Sequence, residues 1–140
     1  MKKLIYLSIA LLAPIFAQAE DSKRFVEKVK LPSGQTVVIA EGDYEARSTG
    51  SFSVRIYDAA EPEDATTFFS SGLVLSRDGT VEKVELQDIN DDKNPEIIVI
   101  VRSVGTGGYL SAYAFTATEK NLGLKTSVED LEASTEIVAD

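Results

Sequence analysis

Between Ser103 and Tyr109 the chain reads Ser-Val-Gly-Thr-Gly-Gly-Tyr, a stretch with three hydroxyl side chains and three glycines. Ser103, Thr106 and Tyr109 can each donate and accept a hydrogen bond while staying neutral at pH 7. Gly105, Gly107 and Gly108 tolerate positive φ and let another molecule come close to the backbone. Their amides add donors without bulk. Such a loop would place Ser103, Thr106 and Tyr109 at the edge of a rigid sheet. The same residues would also serve as a long hairpin turn, and spacing alone does not choose between the two.

A second group of polar residues, Asp88, Asn90 and Asp92 with Glu96 beyond, supplies oxygens at the alternate positions that calcium loops use. Lys93 stands where a helix-loop-helix calcium site has glycine, and Val99 where it has a bidentate glutamate. Asx turns account for the same residues without a metal, because their side chains accept hydrogen bonds from nearby backbone amides. The turn is the favoured reading, with a calcium-dependent β-sandwich binding module as the alternative.

The chain contains no histidine, cysteine or tryptophan. Ser–His and Cys–His catalysis is therefore excluded, as are thiolate and imidazole metal sites and disulfides. A secreted glycosidase would need a pair of carboxyl groups held in contrasting environments. Among 23 acidic residues, none is set apart in that way. The expectation is a protein that is not an enzyme and needs no cofactor.

The elements that must position the 103–109 loop are strands. Glu96 to Val101 (EIIVIV) is almost wholly apolar and β-branched, as in a strand buried on both faces. Leu110 to Thr118 alternates, with Ser111, Tyr113 and Phe115 on one side. Upstream, Asp21–Lys30 reads as an edge strand carrying Phe25, Val26 and Val29. Pro32-Ser33-Gly34 is a turn and Thr36–Ala40 a clear strand. Tyr44–Arg47 is a short strand candidate, and Ser48-Thr49-Gly50-Ser51 another turn. Phe52, Val54 and Ile56 alternate with polar residues in the next strand. Ala59–Thr66 is a loop broken by Pro62. Phe68, Phe69 and Leu73–Leu75 supply core mass. Arg77-Asp78-Gly79-Thr80 reads as an Asp-Gly hairpin leading into Val81–Leu86. Asn121-Leu122-Gly123 turns the chain into a last strand over Leu124–Val128. Ser127 with Asp130 can cap one short C-terminal helical turn through Leu131, and Glu132–Asp140 is expected to fray. The fold class is all-β, an antiparallel sandwich or a strongly curved sheet of about eight strands.

The N-terminus has the form of an export signal. Lys2 and Lys3 precede an apolar run, Leu4–Phe16, and the small-residue pattern Ala17-Gln18-Ala19. The run is short for a membrane span. No cysteine follows it to carry a lipid. Residues 1–19 are read as a signal peptide and residues 20–140 as a single β domain, soluble in the periplasm. Removing the signal takes the net charge from −9 to −11, because two lysines leave with it. Such a chain repels nucleic acid and anionic membranes and favours basic partners.

Three stretches together resemble one known family. Pro32–Gly42 (PSGQTVVIAEG), the Asp88–Glu96 turn running into Ile97-Ile98-Val99, and Ser103–Phe115 (SVGTGGYLSAYAF) are similar to the periplasmic inhibitors of invertebrate-type (i-type) lysozyme. The resemblance runs in order from Phe25 to Phe115. It implies an exported antiparallel β protein that protects peptidoglycan by inserting a loop into the lysozyme active-site cleft. A serine and a tyrosine are that family's key loop positions. Their spacing falls here on Thr106-Gly107-Gly108-Tyr109, with threonine at the serine position and Ser103 as a second candidate for that role. The resemblance implies i-type lysozyme as the partner. Related inhibitors of goose- and chicken-type (g- and c-type) lysozymes share the same logic and remain alternatives. Monomer and homodimer are both open.

Overall fold

The structure, a computed structural model, describes residues 24–105 and 107–131. Eight strands follow one another: β1 (Val26–Lys30), β2 (Thr36–Glu41), β3 (Thr49–Tyr57), β4 (Phe69–Asp78), β5 (Thr80–Gln87), β6 (Glu96–Arg102), β7 (Leu110–Ala117) and β8 (Leu122–Leu131). They form two four-stranded antiparallel sheets, in the orders β1-β2-β3-β4 and β5-β6-β7-β8. The chain thus completes one meander before it starts the other. Among the described residues no helix is long and apolar enough to cross a membrane.

Side-chain alternation explains how the sheets stack. Val37 and Ile39 of β2 and Phe52, Val54 and Ile56 of β3 meet Ile97, Val99 and Val101 of β6 and Tyr113 and Phe115 of β7 in one core. Phe52 sits at its centre, 5.3 Å from the Tyr113 ring and 6.2 Å from the Phe115 ring. The intervening residues Ile98 and Ile100 are buried on the other face of β6, with Leu110 and Ala114. That double burial is what the unbroken apolar run of β6 implies.

Several local expectations are corrected. Phe68, Phe69 and Val74 are exposed, and only Leu73 and Leu75 of that group pack against the core. Leu122 and Gly123 belong to β8 and not to a turn. Tyr44–Arg47 is not a strand, and Thr49–Ser51 is not a turn but the start of β3. The carbonyls of Ala46 and Arg47 accept from the buried Arg77 guanidinium (2.9 Å each), and so are withdrawn from any ladder. The Asp78-Gly79 step is not a hairpin either. β4 pairs with β3 and β5 with β6, so this step is the corner where the chain passes between sheets. The helical turn over Ser127–Leu131 is also overturned, because these residues lie in β8, with Ser127 opposite Tyr113. The free edge of β7 offers a row of unpaired backbone groups that a strand satisfies. A single helix cap is worth only about 1 kcal/mol in comparison. The Ala59–Thr66 loop holds one 3-10 turn, Pro62–Asp64, with Pro62 at its start. The export segment and Glu132–Asp140 lie outside the described residues.

Candidate functional site: the β6–β7 loop

The antiparallel pairing sets the end of the sandwich at which each loop lies. The 42–48 loop, the Gly79 corner and the 103–109 loop share one end; the 88–95 turn lies at the other. At the base of the 103–109 loop the Ser103 amide donates to the Tyr109 carbonyl (2.8 Å), and inside it the Gly108 amide donates to the Gly105 carbonyl (3.2 Å). Gly107 and Gly108 take positive φ, 102° and 53°. Glycine suits the positive φ at 107, and a Cβ there would lie 3.2 Å from the Tyr109 ring, a tight contact that the ring would have to ease. The ring lies close to the Gly107 backbone and stays 46% exposed.

The loop's hydroxyl groups do not share one environment. Tyr109 is open to solvent, whereas the Ser103 oxygen is buried at the loop base with no hydrogen-bond partner. Thr106 lies outside the described residues. The turn from Ser103 to Tyr109 carries no carboxylate.

Supports around this loop escape a reading of the sequence. Arg102, the last residue of β6, donates from Nε and Nη2 to the two carboxylate oxygens of Glu82 on β5 (2.9 and 3.2 Å). Its Nη1 donates to the Gly108 carbonyl (3.0 Å). Gly79 packs so closely that a Cβ on it would lie 2.1 Å from the Arg102 carbonyl oxygen. Arg77, fully buried, donates to the carbonyls of Gly79 (2.7 Å) and Ser51 (2.8 Å), with Glu41 at 3.3 Å and Glu45 at 3.6 Å. The one available signal was a lone arginine near the end of a strand, Arg77 in β4 and Arg102 in β6.

The second candidate group is taken up internally. The Asp88 carboxylate accepts from the amides of Asp92 (3.2 Å) and Lys93 (2.8 Å), and Asp92 accepts from the Asn94 amide (2.9 Å). Glu96, almost fully buried, accepts from the Ile89 amide (3.0 Å) and pairs with Lys125 (3.2 Å). Asp88, Asp92 and Glu96 thus do structural work, as an Asx-turn reading requires. The Asn90 side chain is exposed. Among the described residues no group of three or more acidic side chains is placed to hold a metal.

A family model described as periplasmic lysozyme inhibitor of I-type lysozyme matches residues 23–140. The chain belongs to this family. The match extends past both ends of the Phe25–Phe115 region that carries the sequence resemblance. The inhibitor family is also represented among solved structures similar to this one. The Aeromonas hydrophila inhibitor in complex with Meretrix lusoria lysozyme is 44% identical, with a TM-score of 0.76 over 81% of this chain and 91% of that one. A crystal structure of the Aeromonas hydrophila periplasmic inhibitor of I-type lysozyme gives 44% identity and a TM-score of 0.77 over 80% of this chain and 94% of that one. No curated protein matches by sequence.

Proposed function

We propose that this chain is an exported inhibitor of i-type lysozyme that blocks the enzyme's cleft with its 103–109 loop and catalyses nothing itself. The observation that carries the loop assignment is Tyr109, half exposed on a glycine cradle in a turn free of carboxylates. Membership of the inhibitor family and the lysozyme bound to the Aeromonas relative support the choice of partner.

The chemistry is complementary. A glycosidase cleft of this kind holds two carboxyl groups, one protonated and one ionised. A carboxylate on the loop would be repelled there, whereas neutral hydroxyls and glycine amides donate to it. Tyr109 has the amphipathic bulk of an interface anchor. Thr106 adds a second hydroxyl at the family's serine position. Ser103, buried at the base, serves the loop's shape in this reading. Residues 1–19 direct export and are removed, leaving a chain that begins at Glu20.

The test is a titration of the periplasmic protein into i-, g- and c-type lysozymes, after intact-mass measurement of its N-terminus. Stoichiometric inhibition of the i-type enzyme is expected, with Glu20 as the first residue. Tyr109→Ala should weaken binding by about 2 kcal/mol or more, as for a hot-spot tyrosine. Thr106→Ala should cost about 1 kcal/mol, one hydrogen bond. Folded variants that both inhibit like the wild type would remove the loop from the mechanism. An intact Met1 in periplasmic material would remove the export claim.

A further inference from the structure

A loop with three glycines starts from a disadvantage as a binding element. Glycine loses more conformational freedom on ordering than any other residue, and an interface that must order its own loop loses affinity. One side chain, Arg102, reaches both a neighbouring strand and the backbone of this loop. A guanidinium presents its N–H groups in a rigid planar fork. In Arg102 two of these groups, on Nε and Nη2, are held by the Glu82 carboxylate, which leaves Nη1 aimed at the Gly108 carbonyl (3.0 Å). The side chain also lies under the loop, since a Cβ on Gly108 would be 3.4 Å from Nη1 and 3.8 Å from Cδ.

Glu82 owes its position to an irregularity of the sheet. Val81 pairs with Val101 and Lys83 with Ile100, so Glu82 is the extra residue of a β-bulge. Bulges re-aim side chains and tend to occur beside functional sites. Here the bulge falls next to the Thr80–Arg102 pair that ends the β5–β6 ladder. The ion pair is half open to solvent, with side chains 36% and 37% exposed. A pair so exposed contributes little to global stability. Its geometry is directed at the loop instead.

We propose that Arg102 and Glu82 are positioning residues: the Glu82 carboxylate fixes the Arg102 guanidinium, which holds the Gly108 carbonyl and so orders the Gly107–Tyr109 side of the β6–β7 loop before a partner arrives. The consequence for inhibition rests on the function proposed above; the ordering of the loop does not.

The experiment uses the mature protein with Arg102→Lys, Glu82→Gln and the two combined. Lysine keeps the charge but lacks the fork that engages Glu82 and Gly108 together. In the free protein, hydrogen exchange at the Ser103 and Gly108 amides should quicken about tenfold in each single variant, while the thermal midpoint stays nearly unchanged. Dissociation constants for an i-type lysozyme, measured in 1 M salt to suppress long-range charge effects, should rise about tenfold. The double variant should be little worse than either single one, because both remove the same brace. Unchanged exchange at both amides, or effects of the two substitutions that simply add, would overturn the brace. Quickened exchange together with full inhibition by Tyr109→Ala would leave the brace standing and defeat the loop's role in binding.

Discussion

Arg77 is a cation with no exposed side-chain surface, inside a protein whose net charge is strongly negative. It is tolerated because its guanidinium meets four backbone carbonyls, those of Ala46, Arg47, Ser51 and Gly79, at 2.7–2.9 Å. Two carboxylates, Glu41 and Glu45, complete the surround. Glu45 is also bound by the Ser51 amide (2.7 Å) and hydroxyl (2.9 Å). These two hydrogen bonds, and then the charges of Arg77 and Arg24, hold its carboxyl below the ordinary glutamate value of 4.5. A group with a lowered folded-state pKa stabilises the fold fully above its unfolded pKa and loses that contribution as pH falls through the folded one. Glu45→Gln should therefore melt below the wild type at pH 7. The gap should close on acidification from pH 5 through the lowered folded-state pKa. A gap in thermal midpoint that stays constant over that range would show that the charge of Glu45 does not stabilise the 42–50 segment.

At the scale of elements, the corner between β4 and β5 and the start of the 103–109 loop are one packed unit. Gly79 has φ 124° and leaves no room for a Cβ, which would fall 2.1 Å from the Arg102 carbonyl oxygen and 2.8 Å from the Ser103 Cα. The obstacle is backbone, which cannot swing aside as a flexible side chain would. Gly79→Ala combines a disfavoured φ with overpacking and should cost about 2–5 kcal/mol in chemical denaturation. It should also displace the loop base and weaken inhibition. Gly105 is the internal control, because nothing lies within 4 Å of a Cβ placed there. Gly105→Ala should leave stability within about 0.5 kcal/mol of the wild type. Equal stability of the two variants would mean that the corner gives way easily and does not support the loop.

For the whole molecule the relevant quantity is charge. The full chain carries −9, and −11 without residues 1–19. Lysozymes that work on anionic cell walls are often cationic, so the field of this protein draws such a partner in before contact. Exposed charges are screened over about 8 Å at physiological ionic strength. Stopped-flow measurements across a salt series should show the association rate constant falling steeply while dissociation changes little. Association that is independent of salt would confine the acidic surface to a role in solubility.

Several features were legible in the sequence because each depends on near neighbours in the chain. The unbroken apolar run of β6 marks a strand covered on both faces, and the alternation of Phe52, Val54 and Ile56 marks one face of β3. Three glycines between two firm strands mark the 103–109 loop. The Asp88–Asn94 turn follows from side chains that reach amides two to five residues on. Other features arise only when distant segments meet. An Asp-Gly step looks alike in a hairpin and in a sheet-to-sheet corner, and what decides is that β5 pairs with β6 and not with β4. Tyr44–Arg47 has a strand-like composition, yet its carbonyls serve a guanidinium some 30 residues away in sequence. Ser127 and Asp130 carry a helix-cap pattern that the open edge of β7 overrides. Arg102 and Glu82, 20 residues apart, become partners only through the β5–β6 pairing and a bulge whose position no local pattern announces. Local backbone preference is fixed by residues a few positions apart, whereas the partner of each strand edge and each buried charge is set by the packing of the whole sandwich.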